Sequence, residues 1–171
     1  PELAALVAAG KLPPVEERIG EDPQVLKPLH EIGKYGGVIR RAFTGPTDHF
    51  NGMRFAFNDS LLHWDPCGVR LIPQVAKDWT VSEDGRTTTF FLRRGMKWSD
   101  GAPFTADDMV FWFEDIYSND DLSPRVSTYF STVNDEGEKI SGTVVKIDDF
   151  TVEYKFERPF YALQLAVAGP T

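Results

Sequence analysis

Val152, Tyr154 and Phe156 alternate with Thr151, Glu153 and Lys155. That period of two sets every second side chain on one face of a strand. Thr143 to Ile147 precedes it, and Asp148-Asp149-Phe150 lies between, so the stretch predicts a hairpin. Asp78 to Ser82 and Thr87 to Arg93 predict a second hairpin around Glu83-Asp84-Gly85, because Asp and Gly tolerate the left-handed backbone that tight turns need. Val38 to Phe43 reads as a strand after Gly36-Gly37, followed by a loop over residues 44–49.

Helical patterns are fewer. Residues 2–9 predict a short helix ended by Gly10. Pro73 through Ala76 predicts one helical turn, and residues 160–168 the start of an apolar helix. The segment 51–62 fits both a hairpin turn at Asn51-Gly52 and a helical face. Four prolines at positions 13, 14, 23 and 28 make residues 11–37 an extended arm that crosses a surface.

The stretch Trp98-Ser99-Asp100-Gly101 raises a choice between a reactive site and a joint. It reads as a joint. Gly101 supplies positive φ, Thr105 is an N-cap, and Asp108 three residues on resembles the acidic member of a capping box. Asp107 and Asp108 place negative charge at the positive end of the helix dipole. Met109, Trp112, Phe113 and Ile116 fall at i, i+3, i+4 and i+7, which predicts one buried stripe.

Composition then removes several classes of function. The 171 residues suffice for one domain with a real core. Hydrophobic content of 42% and aromatic content of 13% are those of a globular chain. A formal charge of −8 argues against a nucleic-acid partner, since nothing would neutralise a run of phosphates. The single cysteine, Cys67, excludes an internal disulfide. No run approaches the roughly 20 apolar residues of a membrane span. Residues 3–9 are apolar but lack the basic flank and length of a signal peptide, and both ends read as cut.

Candidate chemistry is thin. His63 lies four residues before Cys67, without a second ligand pair, and is read as a packed or surface residue. The pairs Asp107/Asp108, Asp120/Asp121 and Asp148/Asp149 sit where Asp serves turns and helix starts. Residues 134–138 resemble part of a calcium loop without its full ligand spacing. There is no phosphate-binding glycine loop and no Gly-x-Ser-x-Gly elbow. The expectation is a protein that is not an enzyme, with no cofactor and no metal.

Pro73, Ala76, Trp79, Ser82, Asp84-Gly85, the run Thr89-Phe90-Phe91-Leu92-Arg93, Gly95 to Gly101 and Pro103 to Asp108 keep fixed offsets. Together with Ser123-Pro124 and the hairpin around Asp148-Asp149-Phe150-Thr151-Val152, they resemble the family 5 extracellular solute-binding proteins. These are the peptide-, nickel- and oligosaccharide-type binding components of ABC importers. The arm, with residues 11–18 and Ile32-Gly33-Lys34-Tyr35-Gly36-Gly37, resembles a branch with an extended N-terminus. The resemblance covers about residues 11–165.

It implies an α+β fold: the N-terminal part of lobe I of a type II periplasmic-binding-protein fold, a mixed sheet with hairpins and flanking helices. Residues 1–37 would be the arm with its short helix. Residues 38–171 would be partial lobe I with its inserted small α+β subdomain, and lobe II would be absent, because family members are several times longer. The implied protein captures a peptide or oligosaccharide between two lobes and delivers it to ABC permease subunits in the membrane. It would be monomeric at full length, and periplasmic or anchored to the outer face of the cytoplasmic membrane. By the same resemblance, the loop after the first strand borders the ligand, which nominates Thr44, Thr47, Asp48 and His49. The segment after Ser123-Pro124 nominates Arg125 and Tyr129. The competing expectation is a non-catalytic structural or protein-interaction module with no small-molecule ligand of its own.

Overall fold

A computed structural model describes residues 2–34, 36–38, 40, 42, 44–49, 59–125 and 127–168. At its centre is a four-stranded antiparallel sheet in the order β3-β4-β8-β7, formed by β3 (Ala76–Val81), β4 (Thr87–Leu92), β7 (Thr143–Asp148) and β8 (Thr151–Lys155). Both predicted hairpins are there. In β4, Thr88, Phe90 and Leu92 point inward while Thr87, Thr89 and Phe91 are half-buried. Phe90 lies opposite Val152, and Thr88 opposite Tyr154, so the inward residues of the central pair stack on one face. Gly85 takes φ +67° in the first hairpin's turn, and the Tyr161 ring lies against it where a Cβ would stand.

Two smaller hairpins flank the sheet: β1 (Leu62–Trp64) with β2 (Leu71–Pro73), and β5 (Ser131–Val133) with β6 (Lys139–Ser141). The helices are α1 (Glu2–Ala8), α2 (Val15–Arg18), α3 (Ala106–Phe111) and α4 (Leu163–Ala166). Gly10 ends α1 at φ +68° as the pattern predicts. The core joins Phe90, Leu92, Val152, Tyr154 and Phe156 of the sheet region to Leu62, Ala106, Phe113 and Leu163.

The Trp98–Gly101 stretch is a joint. Gly101 N–H donates to Trp98 O and Trp98 N–H to Ala102 O, which closes the turn. The capping box forms as expected: Thr105 Oγ1 accepts from Asp107 N at 3.3 Å, and Asp108 Oδ2 accepts from Thr105 N at 2.7 Å. Lys146 Nζ then reaches Asp107 and Asp149, each at 2.7 Å, and fastens the start of α3 to the β7–β8 turn. Those two carboxylates raise the Lys146 pKa above its ordinary value.

Four expectations need correction. First, Pro73 starts no helical turn. It closes β2 opposite Leu62, and the Gln74 and Ala76 amides donate to Leu61 O, so long-range pairing overrides the local signal. Second, the proline arm contains one helical turn, α2, between Pro14 and Ile19. Third, the aromatic stripe loses its phase. After Phe111 the chain widens into a π-helical turn over Trp112–Tyr117, with Ser118 N–H bonding Phe113 O five residues back. Phe113 stays buried, but Trp112 and Ile116 are each 37% exposed. In exchange Trp112 meets Tyr117 at i+5 with ring centroids 5.5 Å apart, and both rings pack on Phe130. Fourth, where a mixed sheet is expected, every strand pair among the described residues is antiparallel.

In the predicted first strand, Val38, Arg40 and Ala42 are not strand, and the rest of Val38 to Phe43 lies outside the described residues. The same holds for residues 51–58 of the ambiguous segment, while Leu62 enters β1.

Candidate functional site

The loop that follows the predicted first strand folds on itself. Pro46–His49 form a 3₁₀ turn, closed by Asp48 N–H donating to Gly45 O. Asp48 Oδ2 accepts from Thr44 N at 3.1 Å and Thr44 Oγ1 at 3.3 Å. Asp48 therefore shapes the loop, as turn aspartates do, and Thr47 is exposed on it. His49 ends the turn, and its side chain lies outside the described residues.

Arg125 and Tyr129 stand at the other nominated segment. Arg125 is exposed and forms no ion pair among the described residues. Tyr129 is 63% exposed, with its amide bonded to Ser127 Oγ. A cleft of about 220 Å³ opens just before them, between Tyr117, Ser118, Asp120, Ser123, Pro124 and Ser141. Its hydroxyls and one carboxylate suit a polyhydroxylated or amide-bearing group. Sequence reasoning missed it because its walls come from the end of the π-helical turn and from β6. No described hydrogen bond or ion pair joins the Thr44–His49 loop to Arg125 or Tyr129.

The larger feature is a cleft of about 690 Å³ that contains none of the nominated residues. One wall is the arm at Arg18, Gly20, Asp22 and Gln24. The facing wall carries Arg93, Arg94 and Lys97 just after β4, and Met96, Trp98, Phe104 and Met109 supply the apolar surface. The arm is pinned there. Gln24 Nε2 donates to Pro73 O at 2.8 Å, and Asp22 pairs with Lys77 at 3.3 Å and Arg93 at 3.9 Å. Arg93 also donates to Gln74 O at 2.6 Å and to Asp22 O at 3.3 Å. Backbone meets backbone beside them: a Cβ on Gly95 would lie 2.7 Å from Glu21 N, and one on Gly20 2.7 Å from Arg94 O.

Among the described residues no three His, Cys, Asp or Glu side chains gather as a metal site would need. His63 Nδ1 accepts from the Trp64 amide, and Cys67 is exposed on the β1–β2 loop. The perturbed acids are turn formers. Hydrogen bonds, chiefly from the Val69 amide, hold Asp65 below the usual carboxylate range; Ser82 does so for Asp84, and the Phe150 amide for Asp148. Each serves its own loop rather than a shared centre.

The profile of bacterial extracellular solute-binding proteins, family 5 Middle, matches residues 70–171. This chain belongs to that family. The chain is 36% identical over 173 aligned residues to the periplasmic alpha-galactoside-binding protein of Rhizobium meliloti (strain 1021), covering 90% of this chain and 24% of that protein. It is 37% identical over 101 residues to the dipeptide-binding protein of Escherichia coli (strain K12), covering 53% of this chain and 18% of that one. Among solved structures, an oligopeptide-binding protein OppA superposes with a TM-score of 0.83 and 42% identity, over 98% of this chain and 25% of its own. The periplasmic binding protein MelB of Agrobacterium fabrum C58, in complex with stachyose, superposes at 0.69 and 30% identity, over 96% and 27%.

The family 5 chain therefore matches between 18% and 27% of the length of these relatives. Its fold is α+β, part of lobe I of the type II periplasmic-binding-protein architecture. Members of the family are solute-binding proteins.

Proposed function

We propose that the protein carrying this chain is the extracytoplasmic solute-binding component of an ABC import system. It captures a peptide or an oligosaccharide between two lobes, and ligand contacts favour the closed state that is handed to the membrane permease. In this reading it works as a monomer that carries no catalysis, in the periplasm or anchored at the outer face of the cytoplasmic membrane. Residues 1–37 form its arm, and 38–171 the first part of lobe I with its small subdomain. Thr44, Thr47, Asp48, His49, Arg125 and Tyr129 border the ligand.

The observation that carries the proposal is the match, over 90% of the chain, to a relative named for alpha-galactoside binding. The stachyose-bound neighbour and the oligopeptide-binding neighbour, each superposing over nearly the whole chain, support the two ligand classes. The reading is supported by Arg125, which is exposed, follows Pro124 of the hydroxyl-lined cleft and forms no ion pair among the described residues, since such a site needs a few convergent polar groups.

The test is calorimetry on the full-length protein with stachyose in one series and a mixed set of di- to pentapeptides in another. Saturable binding to one class, with the ligand recovered chemically unchanged, is expected. Binding to neither, or turnover of the ligand, overturns the reading. Arg125→Ala is expected to weaken binding; unchanged affinity removes that residue from the site.

A further inference from the structure

The chain is acidic overall, with 26 acidic and 18 basic residues, yet the larger cleft is lined by four cations and two carboxylates. One carboxylate, Asp22, is already engaged by Lys77 and Arg93. The other, Asp59, accepts from Gln74 Nε2 at 3.4 Å. Arg93 is spent on the arm's backbone and on Gln74 O. Of the other three, Arg18 donates from Nε to Pro13 O at 3.1 Å, Arg94 acts on the Asp148 carboxylate through space, and Lys97 forms no ion pair among the described residues. The Arg94 guanidinium itself rests over the Phe150 ring, its central carbon 4.7 Å from the ring centroid. In a protein with excess acid, a lining of four cations against two carboxylates leaves that concavity positive.

The cleft is also shaped for more than a bare ion. Trp98 and Phe104 meet edge to face at 5.3 Å, and with Met96 and Met109 they make a continuous apolar side. A volume of about 690 Å³ is in the range of small-molecule sites. Its rim is closed where the Gly20 and Gly95 backbones approach too closely for a Cβ on either.

We propose that this arm-walled cleft is a binding site for a small organic anion, a carboxylate or phosphate monoester carried on an apolar or aromatic body. Lys97, Arg94 and Arg18 hold the charged group, with guanidinium forks suited to its oxygens, and Trp98, Phe104 and the two methionines hold the body. None of the six residues assigned to the transported solute lines this cleft.

Calorimetry of the full-length protein with phenyl phosphate as probe tests the assignment. Benzyl alcohol serves as the neutral control and inorganic phosphate as the control without an apolar body. One saturable site for phenyl phosphate is expected, with both controls weaker. The double variant Arg94→Gln/Lys97→Gln is expected to weaken the probe by about tenfold or more, as the loss of charged hydrogen bonds implies, while peptide or stachyose affinity stays unchanged. If the double variant does not fold, Lys97→Gln alone and alkylation of Lys97→Cys replace it, with phenyl phosphate expected to protect the new thiol. No saturable site, equal affinity for benzyl alcohol, or an unchanged affinity in the variants overturns the proposal. So does a Lys97→Cys thiol that resists alkylation without probe, because the cleft is then filled by the protein's own chain.

Discussion

The central sheet and the arm are held by different forces. In the sheet, Phe90, Leu92, Val152 and Tyr154 are withdrawn from water, and strand ladders satisfy the backbone on both sides of β4 and β8. In the arm, Val25 is 88% and Ile32 85% exposed, and Leu26 and Leu29 are exposed with them. Among the described residues, the arm is fixed where residues 20–24 meet the turn after β4, the end of β2 and Lys77 of β3. Burial sets the first region, and backbone fit with a few polar contacts sets the second. Substitutions should therefore separate cleanly: core changes should cost global stability, and changes at residues 20–24 or 95 should cost arm docking.

The largest effect is expected in the sheet. Phe90→Ala removes a fully buried ring that meets Tyr154 edge to face at 5.7 Å, and should cost about 3–5 kcal/mol. Denaturant unfolding of the full-length protein measures it, and arm protection against proteolysis before the transition should not change. The same core carries a pH signature. Burial raises the Tyr154 phenol well above its ordinary value of 10.0. The unfolded chain then loses that proton first, so this contribution to stability is complete below about pH 10 and falls as pH rises further. Tyr154→Phe should abolish that part of the alkaline loss; an unchanged profile would show that Tyr154 does not set it.

The next effect belongs to the arm. Gly95 has φ +78°, and an added Cβ would fall 2.7 Å from Glu21 N and 2.9 Å from Gly20 Cα. Gly95→Ala should cost about 1–3 kcal/mol in backbone strain and release residues 20–24. Hydrogen exchange at those amides should rise while the β4 and β8 amides stay protected. Gly10 has φ +68° with nothing within 4 Å of its Cβ position, so Gly10→Ala controls for strain without the clash. Equal arm exchange in the two variants would break the comparison.

The same division governs what can be read from sequence. Both sheet hairpins are legible because alternation and an Asp-Gly or Asp-Asp turn are local signals that burial reinforces. The capping box at Thr105 and Asp108 is local as well. Illegible features depend on partners far along the chain. Pro73 becomes strand because residues 60–62 supply its backbone partners. Trp112 leaves the helical stripe because Phe130 offers a ring to pack against, which a wider π-helical turn can reach. Of the nominated site residues, Asp48 is placed as a loop former and Arg125 and Tyr129 as exposed groups. The charged cleft has no sequence signature, since Arg18 and Lys97 come together only once Gly20 seats on Gly95.

The smallest effect should come from charge in the arm. Asp22 faces Lys77 at 3.3 Å and Arg93 at 3.9 Å with its side chain 39% exposed. Partly solvated pairs contribute less than about 1 kcal/mol. Asp22→Asn also leaves Arg93 its bonds to Gln74 O and to the backbone carbonyl at position 22. Exchange of the amides at 20–24 should therefore rise by less than about fivefold in low salt. Wild type and variant should converge near 1 M salt, where the screening length is about 3 Å. A loss as large as that of Gly95→Ala, persisting in high salt, would mean that Asp22 rather than the glycine contact seats the arm, and the cleft wall would then depend on one carboxylate.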